Sequence, residues 1–154
     1  MQKQVYIDSA LGLAGTISRL NPVPQHLPFL AEGDAVKAGG FVFAGTDAEK
    51  QVKGIGASAT DAPVGLCIFE NMQPALGAAN GLTVMEGEEV AVLLKGCAYI
   101  TAPAAATKGM KVGVKPTTGE IEVQASTISE GFVDTGFVVL TGAASGYPCE
   151  IMKL

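Results

Sequence analysis

The chain has 154 residues, of which 48% are hydrophobic and only 16% charged, and its formal net charge is -5. That length suits one domain with a single sizeable core, and a mean hydropathy of +0.35 excludes a disordered chain. The basic residues are scattered singly through an acidic chain, which excludes the clustered cations of non-specific nucleic-acid binding.

Residues 1–31 differ from the rest. Three closely spaced prolines, Pro22, Pro24 and Pro28, each remove a backbone donor and push the preceding residue towards extended geometry. This section reads as an extended N-terminal arm followed by a rigid Pro-rich segment, with one turn of helix near Ser9–Leu13. Val5, Tyr6, Ile7, Leu11, Leu13 and Ile17 are its apolar handles. Asp8 interrupts the apolar core that a secretory signal would need, so none is expected.

Residues 32–154 read as a single β-domain. Phe41–Ala44 and Gln51–Ile55 flank a polar loop, which predicts a hairpin. "APVGLCIFE" is an apolar run of strand length, and "MQPALGAANGL", Met72–Leu82, is the main helical candidate. In "GEEVAVLLKGCAYITA" Val90, Val92 and Leu94 alternate, and the run is apolar on both faces, so a central buried strand with a bend or bulge at Gly96 is expected. Val112/Val114 and Ile121/Val123 frame Lys115-Pro116-Thr117-Thr118. This spells a type I turn with Pro at its second position and Gly119 as the left-handed residue that rejoins the strands. Two further strands should flank Gly142–Gly146, with Pro148 tolerable only at a strand start or on an edge. Short strands bounded by Gly and Pro predict an all-β fold, a small antiparallel β-sandwich or barrel.

Chemistry is sparse. His26 stands among prolines without a nucleophile, an acid or metal-ligating company, and reads as a loop histidine. Cys67, Cys97 and Cys149 are odd in number and each sits inside a strand pattern. They read as core residues in a reducing compartment, not a disulfide framework. "GIGASA", Gly54–Ala59, matches the loose dinucleotide fingerprint but lacks the strand-then-helix context it requires. Glu86, Glu88 and Glu89 read as a solvated acidic turn. No stretch approaches the roughly 18 apolar residues of a membrane helix. No catalytic residue, metal or cofactor is therefore expected, and neither nucleic acid nor membrane is an expected partner.

Three stretches together resemble one family. "QVYIDSALGLAGTISRLNP", "GDAVKAGGFVFAG…APVGLCIFEN" and "TVMEGEEVAVLLKGCAYITAPAAATKGMKVGVKPTTGEI" are similar, in that order, to the structural cement (capsid decoration) proteins of tailed bacteriophages. The resemblance rests on turn chemistry and strand spacing. It implies a non-enzymatic virion protein, made in the host cytoplasm, that binds the outer capsid surface and fastens neighbouring capsomers of the major capsid protein. It also implies homo-oligomers, a trimer slightly ahead of a dimer, with the arm as contact segment through Val5, Tyr6, Ile7, Leu11, Leu13 and Ile17. The alternative reading is a carbohydrate-binding or adhesion β-domain, for which Tyr99 and Tyr147 are the available aromatics.

Overall fold

The computed structural model describes residues 13–33, 35–68 and 83–154. The expected handles Val5, Tyr6, Ile7 and Leu11, and the helical candidate Met72–Leu82, lie outside the described residues. Ten strands account for the regular structure, and there is no helix among the described residues. They are β1 (Ile17–Arg19), β2 (Gln25–Ala31), β3 (Phe41–Ala44), β4 (Gln51–Lys53), β5 (Gly65–Ile68), β6 (Glu89–Thr101), β7 (Lys111–Val114), β8 (Ile121–Gln124), β9 (Val133–Thr141) and β10 (Pro148–Lys153).

The thirteen-residue β6 organises the fold. Its first half pairs with β5 on one side and β2 on the other. Since β2 also pairs with β4, β4 with β3, and β3 with β5, the order β2-β4-β3-β5-β6 closes on itself as a five-stranded barrel. The second half of β6 leaves the barrel and enters a second sheet, flanked by β1 and β10, which continues through β9 and β7 to β8. The expectation of a sandwich or a barrel is thus met by a barrel with a sheet packed on it. All pairings are antiparallel except β2 with β4.

Gly96 marks the change of sheet. Its φ of +124° is strained for an L side chain, and a Cβ there would lie 3.0 Å from the Cα of Pro24. The bend expected from the sequence is therefore also a point of close approach, where the chain entering β2 crosses β6.

Two-residue alternation sorts the side chains into two cores. Val42, Val52, Cys67, Val90 and Val92 are fully buried and, with Ala31, Val36 and Val84, fill the barrel. Their strand neighbours Phe41, Phe43, Leu66, Ile68 and Leu93 point the other way and meet Val112, Val114, Phe137, Val139, Cys149 and Ile151 of the second sheet. Phe41 and Phe137 make an edge-to-face contact across this layer, with ring centroids 5.7 Å apart at 63°. β6 is apolar on both faces because both cores need it.

The β7–β8 turn follows its sequence. The Lys115 carbonyl accepts the N–H groups of Thr118 (3.2 Å) and Gly119 (2.7 Å), and Gly119 has a φ of +73°. Gly56 N–H donates to the Pro116 carbonyl at 2.8 Å, so the turn is fastened to the barrel. Pro148 occupies the first position of β10, where its missing donor costs least.

Candidate interaction surface

The N-terminal part of the described chain is laid along the sheet. Residues 13–16 turn beside β6: Thr16 N–H donates to the Leu13 carbonyl, Gly15 N–H to the Tyr99 carbonyl, and Tyr99 N–H to the Thr16 carbonyl. β1 then pairs with Cys97 and Ala98 of β6. After the Pro22–Pro24 stretch, β2 runs antiparallel to the first half of β6, from Gln25 opposite Lys95 to Leu30 opposite Glu89. The extended geometry that three prolines favour is thus used as strand.

Pro28 shows how this is tolerated. Leu30 N–H donates to Lys50 on the β4 side, whereas Ala31 N–H donates to Glu88 on the β6 side. By alternation the nitrogen of Pro28 faces the β4 side, where pairing begins only at Leu30. No donor is lost from the β6 ladder, and the flank of β2 before Leu30 is made a poor template for another strand.

Of the two expected handles that are described, Leu13 is 68% exposed, while Ile17 packs partly buried against the larger core. Sequence reasoning does not single out Leu20, Val23 and Leu27, which are exposed at 77%, 76% and 49%. With Leu30, five of the nine exposed large hydrophobic residues among the described residues fall between 13 and 30. The available signal is their place beside Pro22, Pro24 and Pro28, which hold the chain extended against the fold and leave alternate side chains outside. Arg19 is the only Lys, Arg, Asp or Glu between residues 13 and 31, so this strip is apolar and nearly without charge.

Its one charge is neutralised by Glu150 of β10, which is only 4% exposed. Arg19 Nε donates to Glu150 Oε1 at 2.7 Å and its terminal nitrogen to Oε2 at 2.9 Å, a forked pair. Ser18 Oγ donates to Oε1 at 2.6 Å and Thr141 Oγ1 of β9 to Oε2 at 2.8 Å. The hydrogen bond from Arg19, aided by those from Ser18 and Thr141, outweighs burial and holds the Glu150 carboxyl down at about 2. These residues and Tyr99 line a cleft of about 220 Å³, bounded by Gly142 and Pro148.

The other sequence candidates take structural places. Burial pushes the Cys67 thiol up to about 12, and raises those of Cys97 and Cys149, so the reactive thiolate is disfavoured at all three. All three are free and buried. In the Gly54–Ala59 stretch, Ala57 N–H and Ser58 N–H donate to Asp61 Oδ2 at 2.6 and 2.9 Å, which makes an Asp-capped loop in place of a helix start. Glu88 Oε2 accepts the N–H of Met85 at 3.1 Å within its own turn. His26 is exposed on β2. Among the described residues no group of His, Cys, Asp and Glu is gathered to hold a metal ion, and no helix is long and apolar enough to cross a membrane.

The tyrosines of the carbohydrate reading are not brought together. Tyr99 faces Glu150 across the β6–β10 pair, in the cleft. Tyr147 lies in the bend before Pro148, is 66% exposed, and does not line that cleft.

Comparison with known proteins bears on the family and the fold. The family described as Structural cement protein (E217 gp24/Pam3 gp6) matches residues 1–152. A solved chain from "The capsid of Myoviridae Phage XM1" is 15% identical, with a TM-score of 0.68 over 99% of this chain and 96% of that one, and so shares its fold. Among curated proteins, none matches.

Proposed function

From the premise that this chain belongs to the structural cement protein family of phages, and is therefore a virion protein, we propose that it binds the outer surface of the capsid shell and fastens neighbouring capsomers of the major capsid protein. The observation that carries this reading is the strip from Leu13 to Leu30: apolar, almost uncharged, exposed, and held extended on a rigid sheet. Apolar area removed from water contributes about 25 cal/mol per Å², before the costs of association are subtracted. A strip that is already ordered avoids part of those costs.

Residues 1–12 continue from this strip. In this reading Val5, Tyr6, Ile7 and Leu11 extend the contact that Leu13, Leu20, Val23 and Leu27 begin, whereas Ile17 anchors the segment to its own core. The protein acts without catalysis and as a homo-oligomer, with a trimer slightly ahead of a dimer. One modest contact per subunit becomes tight attachment when several engage capsomers together.

The test is co-sedimentation with the capsid shell encoded alongside this protein, using the full chain, a form lacking residues 1–12, and Leu20→Ser/Val23→Ser/Leu27→Ser. The full chain should pellet with shells, and both altered forms should stay folded but pellet less. Equal pelleting of all three would place the contact elsewhere, and failure of the full chain to pellet would overturn the shell-binding reading itself.

A further inference from the structure

We infer that Glu150 is a latch that holds residues 13–24 to the sheet as a detachable strap, separable from the barrel and from the β7–β10 sheet. The latch works the same way whatever the strap binds.

The strap's own attachments are few. β1 has three residues, pairs only with β6, and has a register irregularity between Ile17 and Arg19. Its flanking turn adds the two hydrogen bonds with Tyr99 and a close approach of Ala14 and Gly15 to Gly39, Ile17 adds a partly buried side chain, and Pro24 lies close against Gly96. A strand this short, on one edge, gains little from pairing alone.

Against that stands a concentration of strong bonds at one carboxylate. Three of the four hydrogen bonds to Glu150 come from the strap: one from Ser18 and two from Arg19. They reach across β6, because Glu150 lies on the far neighbour of β6 from β1. The fourth, from Thr141, ties the carboxylate to β9. Glu150 is thus fixed from the sheet side whether or not the strap is present. The strap side is more open, with Arg19 54% exposed beside the solvent-connected cleft. The segment can therefore leave while its receptor stays in place, hydrated through that cleft.

Neither core requires the strap to close. The barrel is completed by β2, which begins after it, and the β6–β10–β9–β7–β8 order has no gap without β1. Detachment would free the β1 edge of β6 and turn a fixed segment into a tether attached at Gln25.

Native-state amide hydrogen exchange tests this on the full chain. Gly15 N–H and Tyr99 N–H bridge the strap to β6; Cys67 N–H, bonded to the Gly40 carbonyl, reports the barrel; Val139 N–H, bonded to the Met110 carbonyl, reports the second sheet. Two variants are compared with the parent: Glu150→Gln, and Ser18→Ala/Arg19→Gln, which leaves the sheet side untouched. Exchange at Gly15 and Tyr99 should quicken at least tenfold in both, with Cys67 and Val139 within a factor of two of the parent. A smaller separation between the strap pair and the control pair overturns the latch. That includes no change anywhere, which would mean β1 holds without Glu150, and equal acceleration everywhere, which would make Glu150 a support of the whole fold. If Glu150→Gln does not fold, the Ser18/Arg19 variant decides alone.

Discussion

Glu150 makes acid stability readable at one residue. The groups around it are Ser18 and Arg19 from β1, Cys97 and Tyr99 from β6, Thr141 from β9 and Cys149 beside it. Its carboxyl is held near 2 in the folded state against an ordinary 4.5. A depressed folded value contributes stability that is complete above the ordinary value and lost as pH falls from there through the folded one. Solvent reaching Arg19 through the cleft screens part of that contribution. Protection of the Gly15 and Tyr99 amides, corrected for intrinsic exchange at each pH, should therefore be higher in the parent than in Glu150→Gln near neutral pH, by a gap that closes between about pH 4.5 and pH 2. A gap that does not change with pH would mean that the carboxylate charge is not what holds these groups. Gly119 offers a second test at this scale. Its φ is +73°, and a Cβ added there would meet only the Gly54 carbonyl oxygen, at 3.1 Å. Gly119→Ala should cost about 1 kcal/mol, chiefly from backbone strain in the left-handed region, read as a lower urea midpoint at unchanged slope.

At the scale of elements, local chemistry and tertiary pairing separate cleanly. The β7–β8 hairpin, the strand start at Pro148 and the bend at Gly96 were legible because each depends on residues adjacent in sequence. Proline fixes φ, glycine permits positive φ, and alternation of Val and Ile marks a buried face. The use of residues 17–31 as β1 and β2 was not legible. A Pro-rich extended stretch has the same local signature whether it hangs free or lies on a sheet, and its partners on β6 lie 59 to 81 residues further along the chain, from Leu30 opposite Glu89 to Ile17 opposite Ala98. The same limit hid the strip of exposed residues: Leu20 and Val23 look like any apolar residues until the pairing shows which side chains are left outside. Since they are exposed, Leu20→Ser/Val23→Ser/Leu27→Ser should shift the melting temperature by no more than a few degrees. A collapse of the melt would show that these side chains are buried in the free protein, against their observed exposure.

For the whole molecule, β6 makes two cores interdependent. Val90 and Val92 serve the barrel, while Leu93, Ala98 and Ile100 serve the layer between barrel and sheet. Losing either core removes packing from the same strand, so thermal unfolding should be one transition in which calorimetric and van't Hoff enthalpies agree. Two resolved transitions would show that barrel and sheet melt separately. Light scattering at micromolar concentration should give a mass above that of one chain. A strictly monomeric mass would confine self-association to the shell.

The latch also imposes an order on biosynthesis. Arg19 and Glu150 are 131 residues apart, and a chain leaves the ribosome from its N-terminus onward. The strap emerges before the barrel and the second sheet, yet its receptor is translated only after every other strand. During elongation residues 13–24 have no carboxylate to grip, and β6 can meet β2 before it meets β10. A stretch that leaves the ribosome ahead of every other strand is therefore among the last to be fastened, and a nascent chain arrested before residue 150 carries its apolar strip unsecured, as a substrate for chaperones or proteases.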